Sequence, residues 1–175
     1  MRPAPPWWGS PAAEAVTATS ADIRTAAAPP PGGGLEIRIR SDLTEVGRAS
    51  AWLGERLAEL DLPHELRYRL DTVLAEAVTN VISHGYRDAG PHEVTVRFAR
   101  EGNGWAIEVE DDGVAFNPLE AAPPRTPGSH SEASVGGLGI HLIRSFADEC
   151  RYRRENDRNR LTMVARPRPP GDRPV

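Results

Sequence analysis

The sequence predicts an α+β fold, a two-layer sandwich in which helices pack on one face of a mixed, mostly antiparallel sheet. One observation is the order of the periodic segments, which runs strand, helix, helix, strand, strand, helix, strand, strand. Another is that the last four strands fall into two adjacent pairs joined by short polar turns, which is typical of antiparallel hairpins.

The first strand and the first helix follow from residue spacing. Residues 35–40 (LEIRIR) alternate apolar and polar side chains, the period of a half-buried strand. Asp42 to Glu45 has the form of a capping box, and apolar residues follow it at helical spacing. A first helix is therefore predicted up to about residue 60.

A second helix is predicted from Leu62-Pro63, because proline is tolerated in the first turn of a helix. Its periodic apolar residues run from Leu66 to Ile82, and Gly85 supplies a natural stop.

Two hairpins and a third helix complete the domain. Residues 92–100 and 105–110 alternate as two strands, and residues 150–165 predict a second hairpin that turns at 155–159. The third helix follows a glycine-rich stretch and carries apolar residues from Ile140 to Ala147. The segment 113–135, rich in Pro, Gly, Ser and Ala, is longer than most connections, and we expect its part 119–135 to form a mobile lid.

Composition divides the 175 residues into three parts. Residues 1–34 lack any sustained period and predict a disordered N-terminal arm, residues 35–166 predict one folded domain, and residues 167–175 predict a flexible tail. With 39% hydrophobic residues, the middle part can bury a core.

Charge, cysteine content and hydropathy exclude several classes of protein. A net charge of −4 and a pI near 5.8 argue against a nucleic-acid binder. No signal peptide or membrane span is predicted, and one cysteine, Cys150, agrees with a reducing compartment, so we expect a cytoplasmic protein. The arginines clustered from Arg151 to Arg160 are interpreted as a solvated hairpin rather than a phosphate-binding patch.

A stripe of polar residues marks the second helix. Glu76, Asn80 and His84 are four residues apart in an apolar run and share one helix face. Burying them is costly without partners, so a ligand or ion is the natural candidate. The oxygen of Asn80 suits Mg²⁺ held together with phosphates, and Glu76 suits a general base. Taken alone, this common spacing also fits surface positions on an amphipathic helix.

Two downstream segments narrow the ligand to a nucleotide. Asp111 ends an apolar strand, where its carboxylate can accept a hydrogen bond from the adenine amine, and Gly113 allows close approach of a flat base. Gly136, Gly137 and Gly139 precede the third helix, whose N-terminal N–H groups suit phosphate. The alternatives are an ordinary Asp-Asp-Gly turn and a flexible hinge.

Together these segments resemble the GHKL superfamily of ATP-binding domains. Residues 76–86 are similar to its N box, Asp111–Pro118 to its first glycine box and Gly136–Ile140 to its second. Residues 74–86 (LAEAVTNVISHGY) most resemble the anti-sigma factor serine/threonine kinases of bacteria, and the resemblance covers about residues 35–166.

The resemblance implies Glu76 as catalytic base and Asn80 as Mg²⁺ ligand. It implies the following ATP-binding residues: Asn80, His84, Gly85, Asp111, Gly113, Ala115, Phe116, Gly136, Gly137, Leu138 and Gly139. Two departures are Ala115, where the family has a glycine, and the missing arginine before Gly136.

The family further implies the activity and the partners. The expected reaction is transfer of the ATP γ-phosphoryl group to a serine or threonine of an anti-anti-sigma (STAS-type) protein, together with sequestration of a sigma factor. A homodimer is compatible with the family, whereas nucleic acid and membrane are not expected partners. The alternatives are a non-catalytic ATP-binding partner-switching module and, less in keeping with the short chain, a histidine-kinase catalytic module.

Overall fold

A computed structural model of the chain describes residues 34–88, 90–120 and 138–168. In chain order its elements are β1 (Leu35–Arg40), α1 (Thr44–Ala58), α2 (His64–His84), β2 (Glu93–Glu101), β3 (Gly104–Asp111), a short 3₁₀ helix (Pro118–Glu120), α3 (Leu138–Phe146), β4 (Glu149–Glu155) and β5 (Arg158–Ala165).

The strands form one five-stranded sheet in the order β1-β2-β3-β5-β4. Each pair of neighbours is antiparallel, so the described sheet is wholly antiparallel rather than mixed. The three α-helices cover one face of the sheet, and the predicted α+β sandwich is confirmed.

The core lies between the helices and the sheet. Its fully buried side chains come from all three helices and from the central strands, and they include Leu53, Leu57, Leu66, Leu70, Val73, Leu74, Val78, Val94, Val96, Phe98, Ile107, Val109, Ile143 and Met163. Burial of each such side chain contributes about 1.5–3 kcal/mol. This core fixes α2 and α3 against β3 and β5, the elements that carry the site.

The outer face of the sheet carries rows of ion pairs. Glu110 is only 5% exposed, and its carboxylate lies 2.7 Å from Arg97, 2.9 Å from Arg160 and 3.5 Å from Arg158. The arginine cluster therefore belongs largely to a charged sheet face, in agreement with its interpretation as a solvated hairpin. Arg154 is different, because one of its nitrogens donates to the backbone of the site.

Two helix boundaries differ in detail from the prediction. Asp42 Oδ1 accepts hydrogen bonds from the backbone N–H and hydroxyl of Thr44, but the Asp42 N–H donates to Arg40 O, so the reciprocal bond of a capping box is missing. Gly85 ends α2 as predicted, yet its φ of −73° is right-handed. A Cβ there would lie 2.6 Å from Val81 O, so close packing is what calls for glycine.

Several predictions fall outside the described residues. Residues 1–33 and 169–175 hold nearly all of the predicted arm and tail, and residues 121–137 hold most of the predicted lid together with Gly136 and Gly137. Among the helices that are described, none is long and apolar enough to cross a membrane.

Candidate active site

Helix α2 presents its polar stripe to the beginning of α3. A Cβ on Gly139 would lie 2.6 Å from Glu76 Oε2 and 3.3 Å from Asn80 Oδ1, so a larger residue at Gly139 would displace the Glu76 carboxylate. The N–H groups of a first helical turn lack intrahelical partners and attract negative charge. A carboxylate, an amide and the positive end of a helix therefore converge at one point.

The amide nitrogen of Asn80 is the clearest sign of an incomplete site. Asn80 Nδ2 is buried and has no hydrogen-bond partner among the described residues. A buried polar group without a partner costs about 1–3 kcal/mol, which natural proteins rarely tolerate without a functional reason. The Asn80 amide is therefore placed to interact with a group outside the part of the chain that the structure describes.

A cavity opens beside Asn80, between α2, the end of β3 and the β4–β5 hairpin. Its lining comprises Ala77, Asn80, Val81, His84, Gly85, Val109, Asp111, Val114, Phe116, Pro118, Tyr152, Asn159 and Leu161. The cavity contains about 540 Å³ of empty space, part of it open to solvent.

Asp111 lies at the end of β3 and is 4% exposed. Its Oδ1 accepts hydrogen bonds of 2.8 Å from Gly113 N and from Asn159 Nδ2. Burial raises the pKa of Asp111 against the opposing effect of these two donors. Oδ2 accepts no hydrogen bond within the described part of the chain, so the carboxylate keeps one oxygen for an amine donor in the cavity.

Gly113 has a structural role beside Asp111. A Cβ on Gly113 would overlap Gly85 O, and that carbonyl accepts a 2.8 Å hydrogen bond from Val114 N. The sequence predicted close approach of a base to Gly113. That approach of a base stays a prediction. The structure shows a close approach of two backbone segments at Gly113, which brings the end of α2 and the loop after β3 together around the cavity.

The remaining predicted residues lie in different surroundings. His84 lines the cavity, and burial lowers the pKa of its imidazole. Phe116 also lines the cavity, whereas Ala115 is exposed and Leu138 is 59% exposed at the start of α3. Gly136 and Gly137 lie outside the described residues.

Sequence reasoning missed Asn159, which completes the site from β5. Its amide donates to Asp111 Oδ1 (2.8 Å) and Val114 O (3.0 Å), and its Oδ1 accepts from Tyr152 OH (2.8 Å) and Arg154 Nη1 (2.7 Å). A signal was present in the strand pattern, since Asn159 occupies the same inward-facing set of positions as Leu161 and Met163. An amide at such a position calls for partners.

The donor atoms suit a divalent cation that arrives with phosphates. Among the described residues there is no cluster of three or more His, Cys, Asp or Glu side chains that could hold a metal alone. Two oxygens, Asn80 Oδ1 and Glu76 Oε2, both face Gly139. Oxygen ligands of this kind, completed by phosphates and water, fit Mg²⁺.

Comparison with known proteins gives the family. Residues 39–165 match the family described as the histidine kinase-like ATPase domain. The serine/threonine-protein kinase BtrW of Bordetella bronchiseptica is 28% identical over 104 residues, which span 59% of this chain and 73% of that protein. The anti-sigma F factor of Clostridium perfringens is 30% identical over 124 residues, 71% of this chain and 87% of that protein.

Other relatives agree, with varying coverage. The match to the anti-sigma F factor of Bacillus licheniformis, at 30% identity, covers 53% of this chain and 64% of that protein. A crystal structure of the RsbU and RsbW domains of a Mycobacterium tuberculosis protein superposes with a TM-score of 0.52 at 20% identity, over 78% of this chain and 33% of that one, and shares the fold. The chain belongs to the histidine kinase-like ATPase domain family, in its group of anti-sigma factor serine/threonine kinases.

Proposed function

We propose that the protein is a cytoplasmic kinase that binds ATP and Mg²⁺ and phosphorylates a serine or threonine of an anti-anti-sigma (STAS-type) protein. We further propose that the same protein binds a sigma factor and sequesters it. The observation that carries the proposal is the convergence of Glu76 and Asn80 on the first turn of α3, beside a cavity that holds the half-satisfied carboxylate of Asp111.

Each side chain has a role that follows from its position. Asp111 Oδ2 accepts the exocyclic amine of adenine, while Asn159 holds the other oxygen in place. The first turn of α3, with the glycines before it, receives the phosphates. Asn80 supplies an oxygen ligand to Mg²⁺, which neutralises phosphate charge when bound.

Glu76 is proposed as the general base. The attacking hydroxyl of the partner gives its proton to Glu76 while its oxygen forms a bond to the γ-phosphorus. The bond from that phosphorus to the β–γ bridging oxygen breaks, and ADP leaves. Glu76 is only partly buried, so its carboxylate can meet a protein substrate that approaches from solvent.

A non-catalytic ATP-binding partner-switching module is the alternative. It would need Asp111 and Asn80 but would have no use for a carboxylate at Glu76. The position of Glu76 against the first turn of α3 therefore favours the enzyme.

The test combines binding with phosphoryl transfer. Calorimetry with ATP and Mg²⁺ is compared with GTP and Mg²⁺, and [γ-³²P]ATP is incubated with a STAS-domain protein from the same genome. Glu76→Gln should bind ATP like wild type and transfer phosphate about 10²- to 10⁴-fold more slowly. Glu55→Gln, an exposed carboxylate on α1, is the matched control.

The outcomes separate the alternatives. Absence of ATP binding by the wild type would refute the nucleotide site. ATP binding without transfer to any tested STAS protein, or wild-type transfer by Glu76→Gln, would favour the non-catalytic module or a different base.

A further inference from the structure

Arg69 is a fully buried arginine in the helical layer. It lies on α2, about two turns before Glu76, and is 1% exposed among Leu66, Leu70 and Val73. Burying an arginine costs several kcal/mol unless it is well paired, and a protein in which apolar residues replace a whole buried ion pair is often no less stable. The charge at this position therefore calls for an explanation beyond core packing.

The guanidinium of Arg69 joins three segments of the chain. Nε donates to Phe146 O, the last residue of α3 (2.9 Å), and Nη1 donates to Arg166 O after β5 (2.9 Å). Nη2 lies 2.8 Å from Asp148 Oδ2, a close ion pair that falls outside the geometry of an aligned hydrogen bond. Asp148 is itself held by the backbone N–H of Arg166 (2.6 Å).

The contact with Phe146 fixes the carboxyl end of α3. The last carbonyls of a helix have no intrahelical donors, and a positive charge there interacts favourably with the helix dipole. Arg69 supplies both the donor and the charge. Because α3 has nine residues, its carboxyl end is only about 13 Å from the amino end that contacts the site.

Helix α2 thus contacts both ends of α3. Arg69 binds the carboxyl end, and Glu76 and Asn80 lie against Gly139 at the amino end. The amino-end contact is a close packing contact rather than a hydrogen bond between side chains. Arg69 therefore adds a polar anchor at the far end of α3 to the core packing of Ile143 that holds this helix against α2.

We propose that Arg69, with Asp148, is a positioning residue for phosphoryl transfer. By anchoring α3 it sets the place of the first turn of α3 over Glu76 and Asn80. The inference rests on the proposed kinase function. A misplacement of about 1 Å in a catalytic arrangement can cost roughly a hundredfold in rate, so a loosened anchor should be visible in kinetics.

The test uses a matched pair of arginines on one helix. Arg67 also donates to two backbone carbonyls, Leu60 O (2.8 Å) and Leu62 O (3.0 Å), but these belong to the α1–α2 connection. Arg69→Met and Arg67→Met therefore each remove a guanidinium that binds backbone. Only Arg69→Met releases α3.

The expected result is a divergence between stability and function. Both variants lower Tm, but only Arg69→Met raises the Kd for ATP and Mg²⁺ and lowers kcat for transfer to the STAS protein, each about tenfold or more. Hydrogen exchange should accelerate in residues 140–146 of Arg69→Met and stay at the wild-type rate there in Arg67→Met. Arg69→Lys, which keeps the charge but not the planar fork, should restore part of the kcat.

A second variant keeps the proposal falsifiable if Arg69→Met does not fold. Asp148→Asn retains the shape of the anchor and removes its negative charge, and it should raise the ATP Kd roughly two- to tenfold. Wild-type kinetics in Arg69→Met, or in Asp148→Asn where Arg69→Met does not fold, would overturn the positioning role, and so would an equal functional loss in Arg67→Met. Failure of the wild type itself to bind ATP would instead refute the proposed function.

Discussion

Asp111 divides its two oxygens between the protein and the cavity. Oδ1 is fully used by Gly113 and Asn159, so the loop keeps its shape whether the second atom is oxygen or nitrogen. Asp111→Asn should therefore fold normally, yet turn an acceptor into an NH₂ donor that opposes the adenine amine. The expected loss in ATP affinity is about tenfold to a hundredfold, as for a hydrogen bond to a charged group.

Calorimetry with two nucleotides checks this prediction. ITP carries an oxygen where ATP carries the amine, so Asp111→Asn should lose less affinity for ITP than for ATP. Asp112→Asn, an exposed neighbour, serves as control and should bind both nucleotides like wild type. An Asp111→Asn variant with unchanged preference for ATP would show that the carboxylate does not contact the base.

Gly139 gives a prediction that separates packing from helix propensity. Alanine normally stabilises a helix by about 1 kcal/mol relative to glycine. At Gly139 its Cβ would push against Glu76 Oε2 at 2.6 Å, whereas at Gly54 on α1 it would meet nothing within 4 Å. We expect Gly54→Ala to be more stable with normal kinetics. Gly139→Ala should lose roughly tenfold or more in kcat because Glu76 is displaced.

Thermal unfolding and a phosphoryl-transfer assay measure both glycine variants. Equal kinetics in Gly139→Ala and Gly54→Ala would mean that the contact of α3 with Glu76 has no catalytic consequence.

Residues whose partners are near in sequence, or that follow a helical period, could be predicted. Glu76, Asn80 and His84 share a face because of their four-residue spacing. Asn80 and His84 line the cavity, and Glu76 lies against Gly139. Asn159 and Arg69 were missed because their partners are 48 and 77 residues away, at Asp111 and Phe146. Only the topology of the sheet and the packing of α3 create those contacts.

In the β4–β5 hairpin, too, part of the structure could be predicted from the sequence and part depends on strand pairing. Alternation predicted both strands, but the two-residue turn at Asn156 and Asp157, with φ of 51° and 58°, could not be placed more closely than residues 155–159. Because the residues on both sides of the turn are polar, the sequence is compatible with loops of several lengths. Pairing of Glu155 with Arg158 settles the register and thereby brings Asn159 opposite Asp111.

That turn carries its own prediction. A left-handed residue other than glycine costs about 1–2 kcal/mol, less for Asn and Asp, so Asp157→Gly should stabilise the protein slightly. Asp157→Val should destabilise it by about 1–2 kcal/mol, since a β-branched residue fits such a φ poorly. Urea unfolding of the two variants gives the comparison. Equal stabilities would indicate that the turn relaxes to another conformation at no cost.

At the scale of the whole molecule, protonation of the ion-paired carboxylates destabilises the fold, whereas protonation of the site carboxylate Asp111 stabilises it. Burial alone would raise the pKa of Asp148 and Glu110. The nearby charge of Arg69 and the Arg166 N–H hold the pKa of Asp148 below its ordinary value, and hydrogen bonds and charge from Arg97 do the same for Glu110. Their contribution to the free energy of unfolding is complete above the unfolded-state values of about 4 and is lost as pH falls toward the folded-state pKa values.

Asp111 has the opposite sign because burial raises its pKa. As pH falls through that raised value, folded Asp111 takes up a proton before the unfolded chain does, which favours the folded state. Protonation, however, removes the anionic acceptor for the adenine amine. ATP affinity should therefore begin to fall at a pH above about 4, the ordinary aspartate value, where the ion pairs of Asp148 and Glu110 are still intact.

A pH series that follows ATP binding by calorimetry and unfolding by circular dichroism distinguishes the two transitions. We expect the loss of affinity to precede the loss of stability as the solution is acidified. Asp111→Asn, which cannot titrate, should show a flatter affinity profile over that interval, after correction for the titration of ATP itself. If affinity and stability declined together in the wild type, the loss of ATP affinity in acid would result from global unfolding, and the raised pKa of Asp111 would have no part in nucleotide binding.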